Sequence, residues 1–284
     1  MWFPLASLVT LSCCNFASAQ IVINALFVGS SFTHGNAAPV LNFNSANVTD
    51  ANGTGYGGVP GIFKRLIDDH PDIGNDFNVT IEAVNGTNLA WHAANRAYIF
   101  RQPHWHIIVL QEDSITPLPP SRGGNMIGFS NGLRSIINII LETRSELPEV
   151  VLFENWARPD KVYPSGSPYS SLRQMQNDLY ASYYAQATAY GFGIARVGES
   201  FMQAVAAGYA DSNPYDTTNA TVNLWAADHY RPSKYGSYLA ALELFYSILD
   251  IGAEEVPTGP GSAAAQLGIS SAIAQQLVSY ALIR

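Results

Sequence analysis

Five short runs of apolar and β-branched residues recur along the chain, and each is almost continuously hydrophobic. They occupy residues 21–28, 78–84, 106–110, 149–153 and 192–197. A strand that helices cover on both faces has this pattern, because neither row of its side chains meets water. The five runs therefore predict the strands of a mainly parallel sheet.

Segments with apolar residues at helical spacing lie between these runs and after the last one. They cover residues 59–69, 129–145, 170–190, 199–207 and 232–249, and a final helix is expected at residues 263–283 after a Pro/Gly-rich connection at 252–261. Alternating strands and helices are typical of βαβ units with right-handed crossovers, which build a three-layer α/β sandwich. The Asn- and Gly-rich stretch 36–58 breaks the alternation and predicts a long exposed excursion.

Residues 1–19 have the features of a signal peptide. An apolar run is followed by Ala17-Ser18-Ala19, the small-x-small pattern that signal peptidase cleaves. The run is too short to span a bilayer. We therefore expect a secreted, extracellular protein that starts at Gln20, has no membrane anchor and forms a single domain over residues 20–284.

Composition narrows the class of protein further. Both cysteines, Cys13 and Cys14, lie in the predicted leader, so we expect neither a disulfide nor a thiolate metal site in the mature chain. A formal net charge of -8 with 13% charged residues argues against nucleic acid or anionic membranes as partners and favours a neutral substrate. Five N-glycosylation acceptor triplets predict a glycoprotein; they begin at Asn47, Asn52, Asn78, Asn85 and Asn219.

Candidate chemistry lies directly after the first three strands, where the carboxyl ends of a parallel sheet form ligand sites. The first strand runs into Gly29-Ser30-Ser31-Phe32-Thr33, a turn that could present a nucleophilic hydroxyl or only cap the next helix. The N–H of Gly86 after the second strand and the amide of Gln111 after the third could stabilise an oxyanion. Alternatively, Gly86 could only relieve a tight turn, and Gln111 could only bind backbone groups of its own loop.

These blocks occur in one order with a fourth, residues 228–233, and together they resemble the SGNH (GDSL-like) hydrolase superfamily, in a secreted branch with a Leu-Gln-Glu type third block. The resemblance implies a flavodoxin-like sandwich and ester hydrolysis by a Ser-Asp-His triad. It assigns the nucleophile to Ser31 and the oxyanion hole to Ser31, Gly86 and Gln111, with Asp228 in the last block. No cofactor or metal is expected.

The last block departs from the family pattern Asp-x-x-His-Pro, because Arg231 stands at the position of the base. Arginine stays protonated in proteins and cannot accept the serine proton. His229 could replace the base in a Ser-His dyad, His34 could reach Ser31 from the same loop, or Asp228 could act alone with Arg231 on the substrate. Alternatively, Arg231 pairs with Asp228 in a non-catalytic binding protein that has lost its histidine.

The leading hypothesis is a secreted SGNH-type esterase that hydrolyses a neutral acyl ester, with a carbohydrate acetyl ester as one candidate. Its expected catalytic residues are Ser31, Asp228 and His229, and Arg231 and Trp91 are expected to contact the substrate. The partner is then a small-molecule or polysaccharide ester. A glycan at Asn85 would abut the expected oxyanion hole, so this acceptor is the least favoured of the five.

Overall fold

The computed structural model describes residues 22–70, 77–216, 220–251 and 256–281. Outside these ranges lie the predicted leader with its two cysteines, Asn219, residues 252–255 of the predicted connection and the end of the predicted last helix. Within them, no helix has both the length and the apolar character that a membrane span requires.

Among the described residues, six parallel strands form one sheet in the order β2-β3-β1-β4-β5-β6. Their bounds are β1 Ile23–Gly29, β2 Thr49–Asp50, β3 Phe77–Ala83, β4 Ile107–Leu110, β5 Glu149–Phe153 and β6 Gly193–Ala195. The predicted α/β sandwich with a parallel sheet is confirmed, but it has six strands rather than five. The additional strand, β2, has two residues and pairs only with β3, so it leaves no hydrophobic run in the sequence.

Helices cover both faces of the sheet, and the alternation of side chains along β1 shows the two cores. Ala25 and Phe27 pack into one core, while Leu26 and Val28 pack into the other, and all four are buried. The helices are α1 Ser31–His34, α2 Gly58–Asp69, α3 Leu89–Asn95, α4 Ala97–Phe100, α5 Met126–Leu141, α6 Leu172–Tyr190, α7 Val197–Ala206, α8 Lys234–Leu249, α9 Ala263–Gln266 and α10 Ser271–Tyr280. Helices α2 and α8 line the first core, and α3 and α5 line the second.

The predicted final helix is two helices in the structure. Gly268 adopts a left-handed conformation with φ of 67°, which ends the α9 segment because a residue with a Cβ rarely adopts it. Ser270 then caps α10 by accepting a hydrogen bond from the backbone of Ile273. The apolar pattern continues through the break, so periodicity alone did not reveal it.

The stretch 36–58 is not simply an exposed excursion. Val40 and Phe43 are buried in the first core, and β2 lies within this stretch. The carbonyl of Phe43 packs so closely on Gly57 and Gly61 that a Cβ at either position would collide with it. These close backbone contacts fold the segment onto α2, beside the carboxyl ends of β1 and β3.

Candidate active site

Ser31 begins α1 directly after the central strand β1, at the carboxyl edge of the sheet. Its residue is only 6% exposed, yet its Oγ forms no hydrogen bond with any described residue. The carbonyl of Ser30 accepts hydrogen bonds from the backbones of Thr33 and His34, which closes the turn. The turn thus holds an unbonded hydroxyl at the position where the sequence predicts the nucleophile.

Gln111 braces this turn from the neighbouring strand β4. Its Oε1 accepts hydrogen bonds from Ser30 N at 2.8 Å, Ser30 Oγ at 3.1 Å and Thr33 Oγ1 at 3.0 Å. Its Nε2 donates to Asn155 Oδ1 at 3.0 Å and to the carbonyl of Glu112. Both amide hydrogens are therefore engaged, and the geometry gives Gln111 a positioning role in place of the predicted oxyanion donor.

The backbone supplies the remaining candidate donors. Gly86 lies in the loop after β3 with φ of 70°, and open space surrounds its α-carbon. The N–H groups of Ser31 and Gly86 have no hydrogen-bond partner among the described residues. Because Gly29 of β1 pairs in register with Ala83 of β3, the two loops leave adjacent strands at the same level. This arrangement is compatible with two donors that stabilise one oxyanion.

A buried polar network links these two loops, and none of its members is among the predicted site residues. His92 of α3 is fully buried, with its Nε2 at 2.9 Å from Thr87 Oγ1 and 3.1 Å from the carbonyl of Gly29. A carbonyl only accepts, so Nε2 carries a hydrogen. The Nδ1 contacts Glu82, whose other oxygen accepts from Arg96 Nε at 3.0 Å. The glutamate in the run Ile81-Glu82-Ala83 of β3 was the available signal.

Two further buried polar residues stand behind the site. Glu112 is fully buried and accepts hydrogen bonds from Leu89 N at 3.3 Å and Asp113 N at 2.6 Å. Burial raises the pKa of Glu112 to about 8, so its carboxyl group stays largely protonated at neutral pH. Asn155, directly after β5, donates to the carbonyls of Glu112 and Asp113 and joins β5 to the Gln111 brace.

The last block reaches the same corner through Arg231. Its Nη1 donates to Asp228 Oδ2 at 3.0 Å, and its Nη2 donates to Asn85 Oδ1 at 3.3 Å, beside Gly86. The guanidinium also lies over the ring of Tyr230, at 4.5 Å from its centroid. Asp228 Oδ1 accepts from the backbones of Tyr230 and Arg231. Asp228 is therefore bound by the residue that replaces the histidine.

The two candidate imidazoles face different surroundings. His229 has a φ of 62°, and its ring packs on Tyr215 at a centroid distance of 4.0 Å, without a hydrogen bond to Ser31. His34 is 3% exposed, lies three residues after Ser31 on α1, and stacks on Tyr56 at 4.6 Å. Its ring nitrogens likewise form no hydrogen bond with Ser31 or any other described residue. Burial lowers the pKa of His34, and the charge of Arg231 acts in the same direction, so its ring is neutral at pH 7.

Trp91 lies on the outer side of α3 and is half-buried. The guanidinium of Arg96 lies over its ring at 5.2 Å, and the ring meets His92 edge-on. These contacts make Trp91 a support for Arg96. Contact with a substrate stays a prediction for this residue.

No protein-family model matches the chain, and no curated protein sequence matches it. Its fold matches solved structures. A protein from Slackia heliotrinireducens provisionally assigned to the SGNH hydrolases is 19% identical, with a TM-score of 0.50 over 80% of this chain and 99% of its own. A member of the lipolytic G-D-S-L family from Veillonella parvula is 14% identical, with a TM-score of 0.52 over 81% of this chain and 100% of its own.

An acetyl xylan esterase variant from Geobacillus stearothermophilus is 15% identical, with a TM-score of 0.52 over 82% of this chain and 96% of its own. At such identities the likeness concerns the backbone and not the chemistry. The strand order and these matches show that the chain has the fold of the SGNH (GDSL-like) hydrolases.

Proposed function

We propose that the protein is an extracellular serine esterase of the SGNH superfamily that hydrolyses a neutral acyl ester, such as an acetyl ester of a carbohydrate. The observation that carries this proposal is the unbonded hydroxyl of Ser31 at the carboxyl end of the central strand, with the unpaired N–H of Gly86 in the loop that leaves the adjacent strand β3 at the same level. The acetyl xylan esterase among the proteins of this fold supports ester chemistry.

In this reaction the Oγ of Ser31 attacks the ester carbonyl and its proton passes to a base. The N–H groups of Ser31 and Gly86 stabilise the oxyanion, the alcohol leaves with the proton, and water then hydrolyses the acyl-enzyme. We assign the base to His34, because its ring is neutral and residues three apart lie on one side of a helical turn. His229 is the other candidate; it lies on the last block instead of the turn that carries Ser31.

A fluorophosphonate probe tests the proposal, since it labels an activated serine. We expect an adduct on Ser31 of the folded protein and none on a Ser31→Ala variant, with the adduct located by peptide mass spectrometry. A folded protein that stays unlabelled at Ser31, even at raised pH and long incubation, is not a serine hydrolase.

The ion pair between Asp228 and Arg231 favours a second candidate, a non-catalytic binding protein of this fold. In that case the site lacks only its base, so Arg231→His should create esterase activity where the original chain has none. If His34 already acts as base, the same substitution changes turnover by less than about 10-fold, well below the roughly 10²-fold to 10⁴-fold effect of a missing base.

A further inference from the structure

An open cavity of about 570 Å³ lies beside the candidate active site, at the edge of the sheet near β2 and β3. We call it the tyrosine-amide cavity. Its polar lining is formed by Asn52, Thr54, Tyr56, Asn85, Arg96 and Tyr98. No part of the mechanism above uses it.

Two contacts join this cavity to the candidate active site. Asn85, in its wall, accepts a hydrogen bond from Arg231 Nη2. Tyr56, also in its wall, stacks on His34, the neighbour of Ser31 on α1. Asn85 and Tyr56 therefore each connect a ligand in the cavity to the corner of the sheet that holds Ser31. The cavity is placed to receive one part of an ester whose carbonyl lies at Ser31.

The lining is suited to a polyhydroxylated ring. Two tyrosines offer aromatic faces, and amides and a guanidinium offer donors and acceptors, whereas the aliphatic part of the lining is only Ala51, Ala83 and Val84. A long acyl chain would need a predominantly apolar wall. A sugar ring presents apolar C–H faces to aromatic rings and hydroxyl groups to amides, so it matches both parts of this lining.

One polar atom of the wall lacks a partner. Asn52 Oδ1 is buried and accepts no hydrogen bond within the described part of the chain. A buried acceptor without a donor is unfavourable, and a hydrogen bond from a ligand hydroxyl would satisfy it. Asn52 therefore points to a ligand that donates hydrogen bonds.

The charges around the cavity indicate that this ligand is neutral. Arg96 is bound to the buried carboxylate of Glu82, and Arg231 is bound to Asp228. Each of these cations thus has its own anion, and an acidic ligand would have to compete with a bound carboxylate. The opposite wall is held by Asp50, which accepts from both Thr54 N and Tyr56 N and fixes this loop.

We propose that the tyrosine-amide cavity binds a neutral pyranose unit, the sugar that carries the acyl group removed at Ser31. The acyl part of this statement rests on the proposed esterase function. The binding of the sugar does not, because it would also occur in a non-catalytic protein.

Binding is measured first, by titration calorimetry on the Ser31→Ala protein with neutral tetrasaccharides of xylose, glucose and N-acetylglucosamine. We expect binding of at least one of them, and a weakening of at least about 10-fold by Tyr98→Ala, with most of it restored by Tyr98→Phe. Tyr184→Ala is the matched control, since Tyr98 and Tyr184 are both 54% exposed and Tyr184 lies outside the cavity. The control should leave the dissociation constant unchanged.

Turnover separates the sugar site from the esterase function. On the chain with Ser31 intact, Tyr98→Ala should lower kcat/KM for an acetylated tetrasaccharide at least about 10-fold through KM, whereas Tyr184→Ala, outside the cavity, should leave it unchanged. If none of the tetrasaccharides binds at about 10 mM, the sugar site is overturned, because a site with a Kd of about 1 mM would be detected at that concentration. Equal losses in Tyr98→Ala and Tyr184→Ala overturn it as well. Sugar binding without labelling of Ser31 upholds the site and rejects the esterase.

Discussion

A guanidinium at residue 231 cannot take the proton of Ser31, because arginine side chains stay protonated in proteins. In the structure it binds Asp228 and Asn85 and so joins the last block to the loop after β3. In the proposed esterase, proton transfer is therefore left to an imidazole elsewhere. His34 is buried and has a lowered pKa, so it is in the base form at neutral pH.

We expect His34→Gln to lower kcat for 4-nitrophenyl acetate by about 10²-fold to 10⁴-fold, the usual effect of removing a general base. His229→Gln should change kcat by less than about 3-fold, and it is the matched control. Because the pKa of His34 lies below the ordinary value of 6.5, the acid limb of the kcat profile should also lie below pH 6.5. The reverse ranking of the two variants would assign the base to His229.

Glu112 makes a prediction about stability. Its pKa is raised from the ordinary 4.5 to about 8, so the folded state favours the protonated form. The contribution of Glu112 to the free energy of unfolding is fully present below pH 4.5. It falls as the pH rises towards 8, by an amount on the order of 5 kcal/mol. Glu112→Gln should therefore unfold at higher urea than the original chain at pH 8, with a difference that shrinks towards pH 5.

Exposed Glu142→Gln is the control for this measurement, since Glu142 forms a surface ion pair with Arg101 that contributes little. Its difference from the original chain should stay small across the same pH range. A Glu112→Gln effect that does not change between pH 5 and pH 8 would show that Glu112 titrates normally in the folded protein.

At the scale of elements, the carboxyl ends of β1, β3 and β4 matter because each strand delivers one loop to the same corner. Gln111 joins the loop of β4 to the turn after β1, and His92 joins that turn to the loop of β3. The sequence predicted these strand ends and named Ser31, Gly86 and Gln111. It did not predict the links between the loops, because hydrogen-bond partners 63 and 81 residues apart leave no local pattern.

His92 should act as a positioning residue through this network. His92→Leu removes the donor to Gly29 and Thr87 and leaves Glu82 without its buried contact, so we expect kcat to fall at least about 10-fold with KM unchanged. His92→Gln can retain a donor towards Gly29 and should recover most of the activity. Both are assayed well below their unfolding temperatures, with exposed His104→Leu as the control.

If both His92 variants lose activity only in proportion to their loss of folded protein, the network supports the fold and does not position the nucleophile. A normal kcat for folded His92→Leu would lead to the same conclusion. In either case the two loops would hold their positions through the sheet register alone.

For the whole molecule, the sequence predicts export and glycosylation, and the structure sorts the acceptor sites. Asn47, Asn78 and Asn85 are exposed. The tyrosine-amide cavity is lined by Asn85, which also accepts a hydrogen bond from Arg231, and by Asn52. A glycan on either of the last two would fill the space proposed for the substrate.

Expression in a eukaryotic secreting host tests this prediction. The secreted protein should begin at Gln20, and peptide mass spectrometry should find glycans at Asn47 and Asn78 but not at Asn52 or Asn85. A chain that lacks residues 1–19 is the control and should remain inside the cell. Retention of the full-length chain would reject the signal peptide, and a glycan on Asn52 of active protein would reject the assignment of the cavity.

The sequence by itself determined the α/β class, the five main strands and the loops that carry the candidate chemistry, because burial imposes a hydrophobic pattern that is local and periodic. Only the tertiary structure decided what the polar groups do. It engaged both amide hydrogens of Gln111, turned His229 towards Tyr215 and assembled the tyrosine-amide cavity from three separate segments of the chain. These outcomes depend on which groups meet across the sheet edge, and a hydrogen bond between distant residues has no periodicity along the chain.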